Sequence, residues 1–404
     1  MRLISLTVGI LAAFLTWATL RVAWAYQVAA LGGVENLSRA SQLLPVEPRF
    51  RFLSARHLHG DAAEAELRRS IHLAPRNAHA WTALGVGLEL AGRAAEAREA
   101  YLQAAKFDRG AAPRAMLANF SFRAGHVEDF WFWTRETADV PEARIDGLLA
   151  LCERLSPDGA QTWVTVIASR SSLWWTYLGY WLGRNQFVPA RAPAARLAEI
   201  ANPSHTPDLL HYLDFELLFG DPEIAAARWN QLAVRRLIPY DPLSRGSAHR
   251  LTNRTLDHQP LNRGFDWRIS VSHGVALTIT GQTRELRIEM SGEQPPGADL
   301  FQQYLRLDPG GKYRFRFDAR LTDFRRGSGL SWIIATARSP VRTLATVPVD
   351  AADWTPHQLE FICPEDSVQL RIILRYEHPP GAGRPEGVAR FRSLDLTAIP
   401  GAGG

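Results

Sequence analysis

Apolar and polar residues follow three different patterns along the 404-residue chain, and each pattern predicts a different kind of structure. The N-terminal stretch is almost uninterruptedly apolar. The middle of the chain spaces its apolar residues as one face of a helix does, and the C-terminal third alternates apolar and polar residues as a strand does. We therefore predict a multi-domain α-then-β chain, with a transmembrane helix at residues 1–31, a helical repeat domain at 40–238, a linker at 239–252 and an antiparallel β-sandwich at 253–400.

The N-terminal stretch is long enough to cross a membrane. Residues 3–20 carry no charge, and about 20 apolar residues span the hydrocarbon core of a bilayer. Arg21 ends the stretch, and Trp17 and Trp24 lie where interfacial rings stabilise an anchor. We favour an uncleaved signal anchor, with the chain beyond about residue 30 exported. Two alternatives stay open: a cleaved signal peptide, because residues 23–25 read Ala-Trp-Ala, and a buried helix of a soluble protein.

The clearest helical repeat begins at Ala78 and predicts two helices joined by a turn near Gly92. Gly85 is expected at the closest approach of the two helices, because a residue without a side chain lets the partner helix come near. The spacing of large, small and aromatic positions resembles the tetratricopeptide repeat: Trp81, Leu84, Gly85, Leu88, Ala97, Tyr101 and Ala104. Such arrays expose a concave groove, so the resemblance implies a protein partner bound by the helices.

Two aromatic clusters in the helical region, residues 130–133 and 174–181, have two interpretations. Flat aromatic faces can form a platform for a sugar or a peptide. The helical spacing of Trp174, Tyr177 and Trp181 instead favours packing in the core.

The C-terminal third shows strand alternation most clearly around residue 315. Tyr313, Phe315 and Phe317 share one face, and Arg314 and Arg316 share the other. The order of landmarks along this region resembles the jelly-roll carbohydrate-binding modules of glycanases: Leu251 and Asn253, Gly264 and Trp267, Pro309 and Tyr313, Trp354 with Leu359 and Phe361, and a closing strand at 391–396.

That resemblance implies a two-sheet sandwich and sugar binding, with Trp267 and Trp354 packed in the core. Arg392 and Ser393 stand where the family carries acids, which argues against its structural calcium. Candidate ligand-binding residues are the stacking side chains and the arginines that would contact an anion: Trp332, Tyr304, Tyr376, Arg314, Arg316, Arg371 and Arg375. The alternatives are a core position for Trp332, because Leu330 and Ile334 share its face, and a solvated strand face for the arginines.

Composition narrows the class of partner. The formal net charge of +5 suits an anionic partner such as acidic polysaccharide, phospholipid or nucleic acid, but no nucleic-acid motif is present. Cys152 and Cys363 show neither a disulfide framework nor metal-ligand spacing, and we expect both to be buried. No nucleophile elbow, metalloprotease motif or nucleotide-binding loop occurs, so we predict no catalytic residue, no cofactor, no metal and no enzymatic activity.

These features predict a membrane-anchored scaffold or adaptor of the bacterial envelope. It would lie in the inner membrane with most of the chain in the periplasm, bind a protein through its repeats, and contact glycan or protein through its sandwich. A role in exopolysaccharide or surface-glycan assembly fits that combination. The alternatives are a purely structural interaction protein without glycan binding, and a glycan-active enzyme without a readable motif.

Overall fold

The structure is a computed structural model that describes residues 2–244, 247–280, 283–324, 327–366, 369–378, 381 and 383–399, with the backbone alone for residues 2–6. The chain divides into two compact units, Met1–Leu173 and Trp174–Gly404. The first unit is helical, and the second combines helices with two β-sheets. The predicted α-then-β fold class is confirmed.

The first helix, α1 (Arg2–Ala30), carries the apolar N-terminal stretch. Within the described residues, its segment Thr7–Ala30 is the one helix long and apolar enough to cross a membrane, with a mean hydropathy of 1.6. Its C-terminal end packs against the following helices. Ala25 is fully buried, Tyr26 contacts Phe50 edge to face, and the Arg21 Nε donates a 2.6 Å hydrogen bond to the Leu43 carbonyl oxygen.

The other helices of the first unit are short and follow one another closely. Their bounds are α2 Gly33–Leu43, α3 Pro48–Ala55, α4 Gly60–Leu73, α5 Ala78–Leu90, α6 Ala94–Phe107, α7 Ala111–Arg123, α8 Val127–Ala138, α9 Asp146–Leu155 and α10 Ala160–Thr162. A π-helical turn at Trp163–Ile167 and a 3-10 turn at Ser171–Leu173 complete the unit. Helices pack in successive pairs, α3 with α4, α5 with α6 and α7 with α8, which is the organisation that the repeat pattern predicts.

The α5–α6 pair shows why the repeat needs its glycine. A Cβ atom on Gly85 would lie 2.6 Å from Cε1 of Tyr101, so the prediction of a close approach there is confirmed. Tyr101 is fully buried, and its hydroxyl donates a 2.9 Å hydrogen bond to Glu89. Glu89 also accepts a 2.6 Å hydrogen bond from Arg123 on α7, and this contact lowers the pKa of its carboxyl. The buried ring is thus tied to the next helical pair.

The second unit begins with four helices, α11 Trp174–Leu182, α12 Arg191–Ile200, α13 Thr206–Leu218 and α14 Pro222–Val234, and a 3-10 turn at Pro203–His205. Asp221 caps α14 by accepting a 2.8 Å hydrogen bond from the Glu223 amide. Tyr177 and Trp181 are buried, as the core interpretation of their cluster predicts, and so is Phe130 of the first unit.

The rest of the second unit is a β-sandwich. Its strands are β1 Arg268–Ile269, β2 Val275–Thr280, β3 Glu285–Ser291, β4 Gly297–Arg306, β5 Lys312–Thr322, β6 Leu330–Thr336, β7 Thr343–Pro348, β8 Thr355–Ile362, β9 Gln369–Glu377 and β10 Glu386–Ala398. The described residues form two antiparallel sheets, sheet A in the order β2-β3-β10-β5-β8 and sheet B in the order β1-β4-β9-β6-β7. The predicted antiparallel sandwich is confirmed.

Ion pairs and hydrogen bonds connect the helices of the second unit to its sandwich. Asp214 on α13 is buried and accepts hydrogen bonds from the Gly264 amide at 2.8 Å, from Arg263 at 2.8 Å and from Arg268. Arg338 donates a 3.0 Å hydrogen bond to the Glu216 carbonyl oxygen at the end of the same helix. The predicted division at residues 239–252 therefore falls inside one compact unit, whose helices and strands share buried polar contacts.

Replacing Gly85 by alanine tests the close helix approach. The new methyl group must displace the buried Tyr101 ring, and overpacking of this kind costs about 1–3 kcal/mol. Gly87 is the matched control, because it lies on the same helix with nothing within 4 Å of its Cβ position, and alanine there should stabilise by about 0.5–1 kcal/mol. Thermal unfolding of the full chain in detergent, followed by circular dichroism, measures both. Equal shifts for the two variants would contradict the close approach.

Candidate functional site

The aromatic residues predicted to stack on a sugar are buried. Trp332 and Tyr376 are 0% exposed and lie between the two sheets. Tyr304 is 7% exposed on the outer side of sheet B, where the Arg268 guanidinium lies 5.0 Å from its ring centre. The prediction of an aromatic platform at these positions is wrong, because a buried ring offers no face to a ligand.

The predicted arginines are divided between the two outer faces of the sandwich. Arg371 and Arg375 lie on sheet B, where Arg371 donates a 3.1 Å hydrogen bond to Gln302 and Arg375 pairs with Asp299 at 2.6 Å. Arg314 and Arg316 lie on the outer face of sheet A, as their alternation predicts. Arg314 pairs with Glu360 at 2.7 Å. The structure therefore does not bring the predicted ligand residues together into one site.

A pocket of about 1010 Å³ opens on the outer face of sheet A. It is centred on a β-bulge in β10, where the register with β5 shifts between Arg392 and Asp395 and Ser393 has φ +56°. A bulge re-aims side chains and interrupts the strand ladder, so it makes room for a concavity on an otherwise regular sheet. The pocket is lined by strand and loop residues: Arg254, Thr255, Thr283, Arg284, Arg316, Phe317, Asp318, Pro356, His357, Gln358, Arg392, Ser393, Leu394 and Asp395.

Most charged groups of this pocket already have partners. Asp318 accepts hydrogen bonds from Arg392 at 3.3 Å and from the Ser393 hydroxyl at 3.0 Å. Asp395 contacts His249 Nδ1 at 2.6 Å. Arg284 pairs with Asp257 at 2.7 Å.

Other polar groups in the pocket wall have no partner among the described residues. Arg316 is exposed and forms no ion pair with the described residues. The Nε2 atom of His357 is buried and has no hydrogen-bond partner in the described part of the chain. Its ring is held flat against Phe317, with the ring centres 5.0 Å apart. His357 is paired in register with the core residue Phe317 and shares its side of the sheet, so a ligand on the outer face would be bound by Arg316 and not by His357.

Trp354 differs from its prediction. Its side chain is half-buried rather than part of the core, and the Arg392 guanidinium lies 4.1 Å from its ring centre. This cation–π contact covers one face of the ring and holds Arg392 at the pocket edge. Trp267, the other landmark tryptophan, is fully buried, as predicted.

Cys152 and Cys363 are both buried, as predicted, and burial raises the pKa of their thiols to about 12 and about 11. Within the residues described, no group of three or more His, Cys, Asp or Glu side chains is arranged to hold a metal ion.

A second pocket, of about 410 Å³, lies beside residues 239–258. Near it, Asp266 is buried and accepts hydrogen bonds from the Tyr240 hydroxyl at 2.7 Å and from the Leu261 amide at 2.6 Å. Burial raises the pKa of this carboxyl. Because each contact joins two chain segments, we interpret Asp266 as a structural residue that stabilises the segment preceding the first strand of the sandwich.

No protein-family model matches the chain, and no curated protein matches it. Among solved structures, a CBM4 structure is 18% identical with a TM-score of 0.29, over 36% of this chain and 98% of that one. The carbohydrate-binding module from Cellvibrio mixtus lichenase 5A, in complex with cellotriose, is 14% identical with a TM-score of 0.22, over 33% and 92%. A cyclase from Fischerella sp. TAU is 18% identical with a TM-score of 0.22, over 29% and 63%. The carbohydrate-binding modules match the C-terminal sandwich, and the likeness is one of fold.

Truncating Trp332 tests its assignment to the core. Trp332→Ala should cost about 3–5 kcal/mol of stability, because it empties a fully buried site between the sheets. Trp354→Ala serves as the control and should cost less than Trp332→Ala, because its side chain is only half-buried; loss of the cation–π contact with Arg392 accounts for about 0.5–1 kcal/mol of this cost. Denaturant unfolding of the full chain gives both values. If the Trp332→Ala variant is as stable as the parent, Trp332 is not a core residue, and the interpretation as a surface residue that stacks on a ligand is favoured again.

Proposed function

We propose that the chain is a membrane-tethered adaptor of the bacterial envelope whose sandwich binds a glycan in the pocket at the β10 bulge. The observation that carries this proposal is the pocket itself, about 1010 Å³ in volume, with the exposed Arg316 guanidinium, which forms no ion pair with the described residues, in its wall. Small-molecule sites are concave and hold a few placed polar groups, and this pocket meets both conditions. Hydroxyl-rich sugars suit such a lining, because each hydroxyl can both donate and accept a hydrogen bond.

The helices of the first unit offer a different kind of surface. A groove of about 430 Å³ between α4 and α5 is lined largely by apolar side chains, among them Leu58, Leu67 and Val86. Leu90 at its rim is 85% exposed. We assign this groove to a protein partner, because exposed leucine beside an apolar groove favours a hydrophobic segment over a sugar. An adaptor between a protein and a glycan is the role that these two surfaces support, in exopolysaccharide or surface-glycan assembly.

A purely structural interaction protein is the second candidate. It is favoured by the burial of Trp332 and Tyr376 and by the Arg392 guanidinium over Trp354, since these contacts use aromatic rings that would otherwise stack on a sugar.

Glycan binding by the full chain in detergent distinguishes the two candidates. We expect Arg316→Ala to weaken binding on a glycan array by about tenfold, because it removes a charge-assisted hydrogen bond. Arg342→Ala is the control, since Arg342 is exposed and pairs with Asp366 outside the pocket, and it should leave binding unchanged. If the parent binds no glycan, or if both variants bind alike, the structural candidate is the better one.

We also propose that α1 is retained as the membrane anchor, with the rest of the chain in the periplasm. The residues that resemble a cleavage site end at Ala25, which is buried in a continuous helix. Cleavage there would remove the Arg21 contact with Leu43.

Intact-mass measurement of protein from the membrane fraction tests retention. We expect the mass of a chain that keeps Trp24, because the end of α1 is packed on α2 and α3. A mature N-terminus at Tyr26, with the protein in the soluble fraction, would contradict retention.

A further inference from the structure

Three arginines from three strands stand side by side on the outer face of sheet A. Arg390 on β10 is paired in register with Arg287 on β3 and with Arg320 on β5. Side chains at such directly opposed positions begin about 4.5–5.5 Å apart. We call Arg287, Arg390 and Arg320 the arginine row.

Electrostatic repulsion within the arginine row destabilises the folded protein. Like charges directly opposite one another on neighbouring strands destabilise a sheet. Arg287 is partly compensated, since it pairs with Glu289 at 2.9 Å. Arg390 and Arg320 form no ion pair with the residues that the structure describes. The Nε atoms of Arg287 and Arg320 are buried and lack a hydrogen-bond partner in the same described part.

Neighbouring carboxylates on the face are mostly engaged elsewhere. Glu360 pairs with Arg314, Asp318 with Arg392, and Asp395 with His249. The outer side of β3 carries two acids, Glu289, which pairs with Arg287, and Glu285, which lies two residues from Arg287 at the start of the strand. Arg314 and Arg392 on this surface have partners, so among the described arginines of β3, β5 and β10 the uncompensated charge lies in the row and at Arg316 in the pocket.

The arginine row lies next to the pocket, further along the same two strands. Asp318 and Arg392, which line the pocket, are a cross-strand pair two residues from the Arg320 and Arg390 pair on the same strands. Two residues along a strand span about 7 Å, so one polymer chain can occupy the pocket and reach the row.

We propose that the arginine row binds the acidic groups of a polyanionic glycan that occupies the pocket. This inference rests on the proposed glycan-binding function and narrows its ligand to an acidic polysaccharide. The planar guanidinium fork matches a carboxylate or sulfate with two parallel hydrogen bonds, and an anion between adjacent arginines removes their mutual repulsion. The same residues would then lower stability in the free protein and raise affinity in the complex.

The test uses the full chain in neutral detergent with polygalacturonate as the probe and its carboxyl-reduced, neutral form as the matched ligand. We expect tighter binding of the acidic polymer, and that preference should fade as salt shortens the Debye length from about 10 Å at 0.1 M to about 3 Å at 1 M. The double variant Arg320→Gln/Arg390→Gln should weaken binding of the acidic polymer by about tenfold or more and leave the neutral polymer unaffected. Arg314→Gln, on the same strand but paired with Glu360, is the control and should change neither.

Stability gives an independent readout. Because the double variant removes like-charge repulsion, its melting temperature should equal or exceed that of the parent. A lower melting temperature would mean that the arginines are structural, and unchanged binding of polygalacturonate would also overturn the inference. If the neutral polymer binds as well as the acidic one and binding depends on Arg316, the row proposal fails while the proposed function stands. If neither polymer binds, or if only vesicles of anionic lipid bind, both fail.

Discussion

The burial of Trp332 between the sheets determines what the outer faces can offer a ligand. Its ring centre lies 5.2 Å from that of Phe315 on β5 and 5.9 Å from that of Phe391 on β10, so strands of both sheets meet on this residue. Since alternate residues of a strand face opposite sides, placing these rings inside places the arginines of β5 and β10 outside. That face therefore presents charged and hydrogen-bonding groups more than aromatic rings.

The polar contacts of Asp214 explain why the helices that precede the sandwich belong to the same unit. A buried carboxylate is tolerated only when donors surround it, and here they come from Arg263, Arg268 and the Gly264 amide. The change of composition near residue 239 marks a change of secondary structure. It does not mark the end of a compact unit, because the ion-paired residues that hold the unit together, Asp214 with Arg263 and Arg268, lie on both sides of residue 239.

Local sequence patterns predicted the helices, the strands and the outward direction of the arginines on β5, but neither the burial of the candidate stacking residues nor which strands are neighbours. Gly85 and Tyr101 are close in sequence, so helical spacing was enough to predict their contact. Leu330 and Ile334 indicated a core position for Trp332 only as the alternative to a ligand-binding surface position, and the core position is the correct one. The arginine row had a weak signal, since each of its members stands between apolar residues of a strand. That β10 lies between β3 and β5 depends on long-range sheet topology, which no local pattern reveals.

The energetics of α1 support an anchor over a helix exposed to water. Val8, Ile10, Leu11, Phe14 and Leu15 are each more than half exposed on its surface. Complete burial of such a side chain is worth about 1.5–3 kcal/mol, so together they represent an exposed apolar surface comparable with the 5–15 kcal/mol that typically stabilises a folded domain. A 24-residue helical segment is about 36 Å long, enough to cross a hydrocarbon core of about 30 Å with some tilt. The N-terminal part of the helix therefore exposes apolar side chains, whereas its end at Ala25 is packed against Ala40 and Phe50.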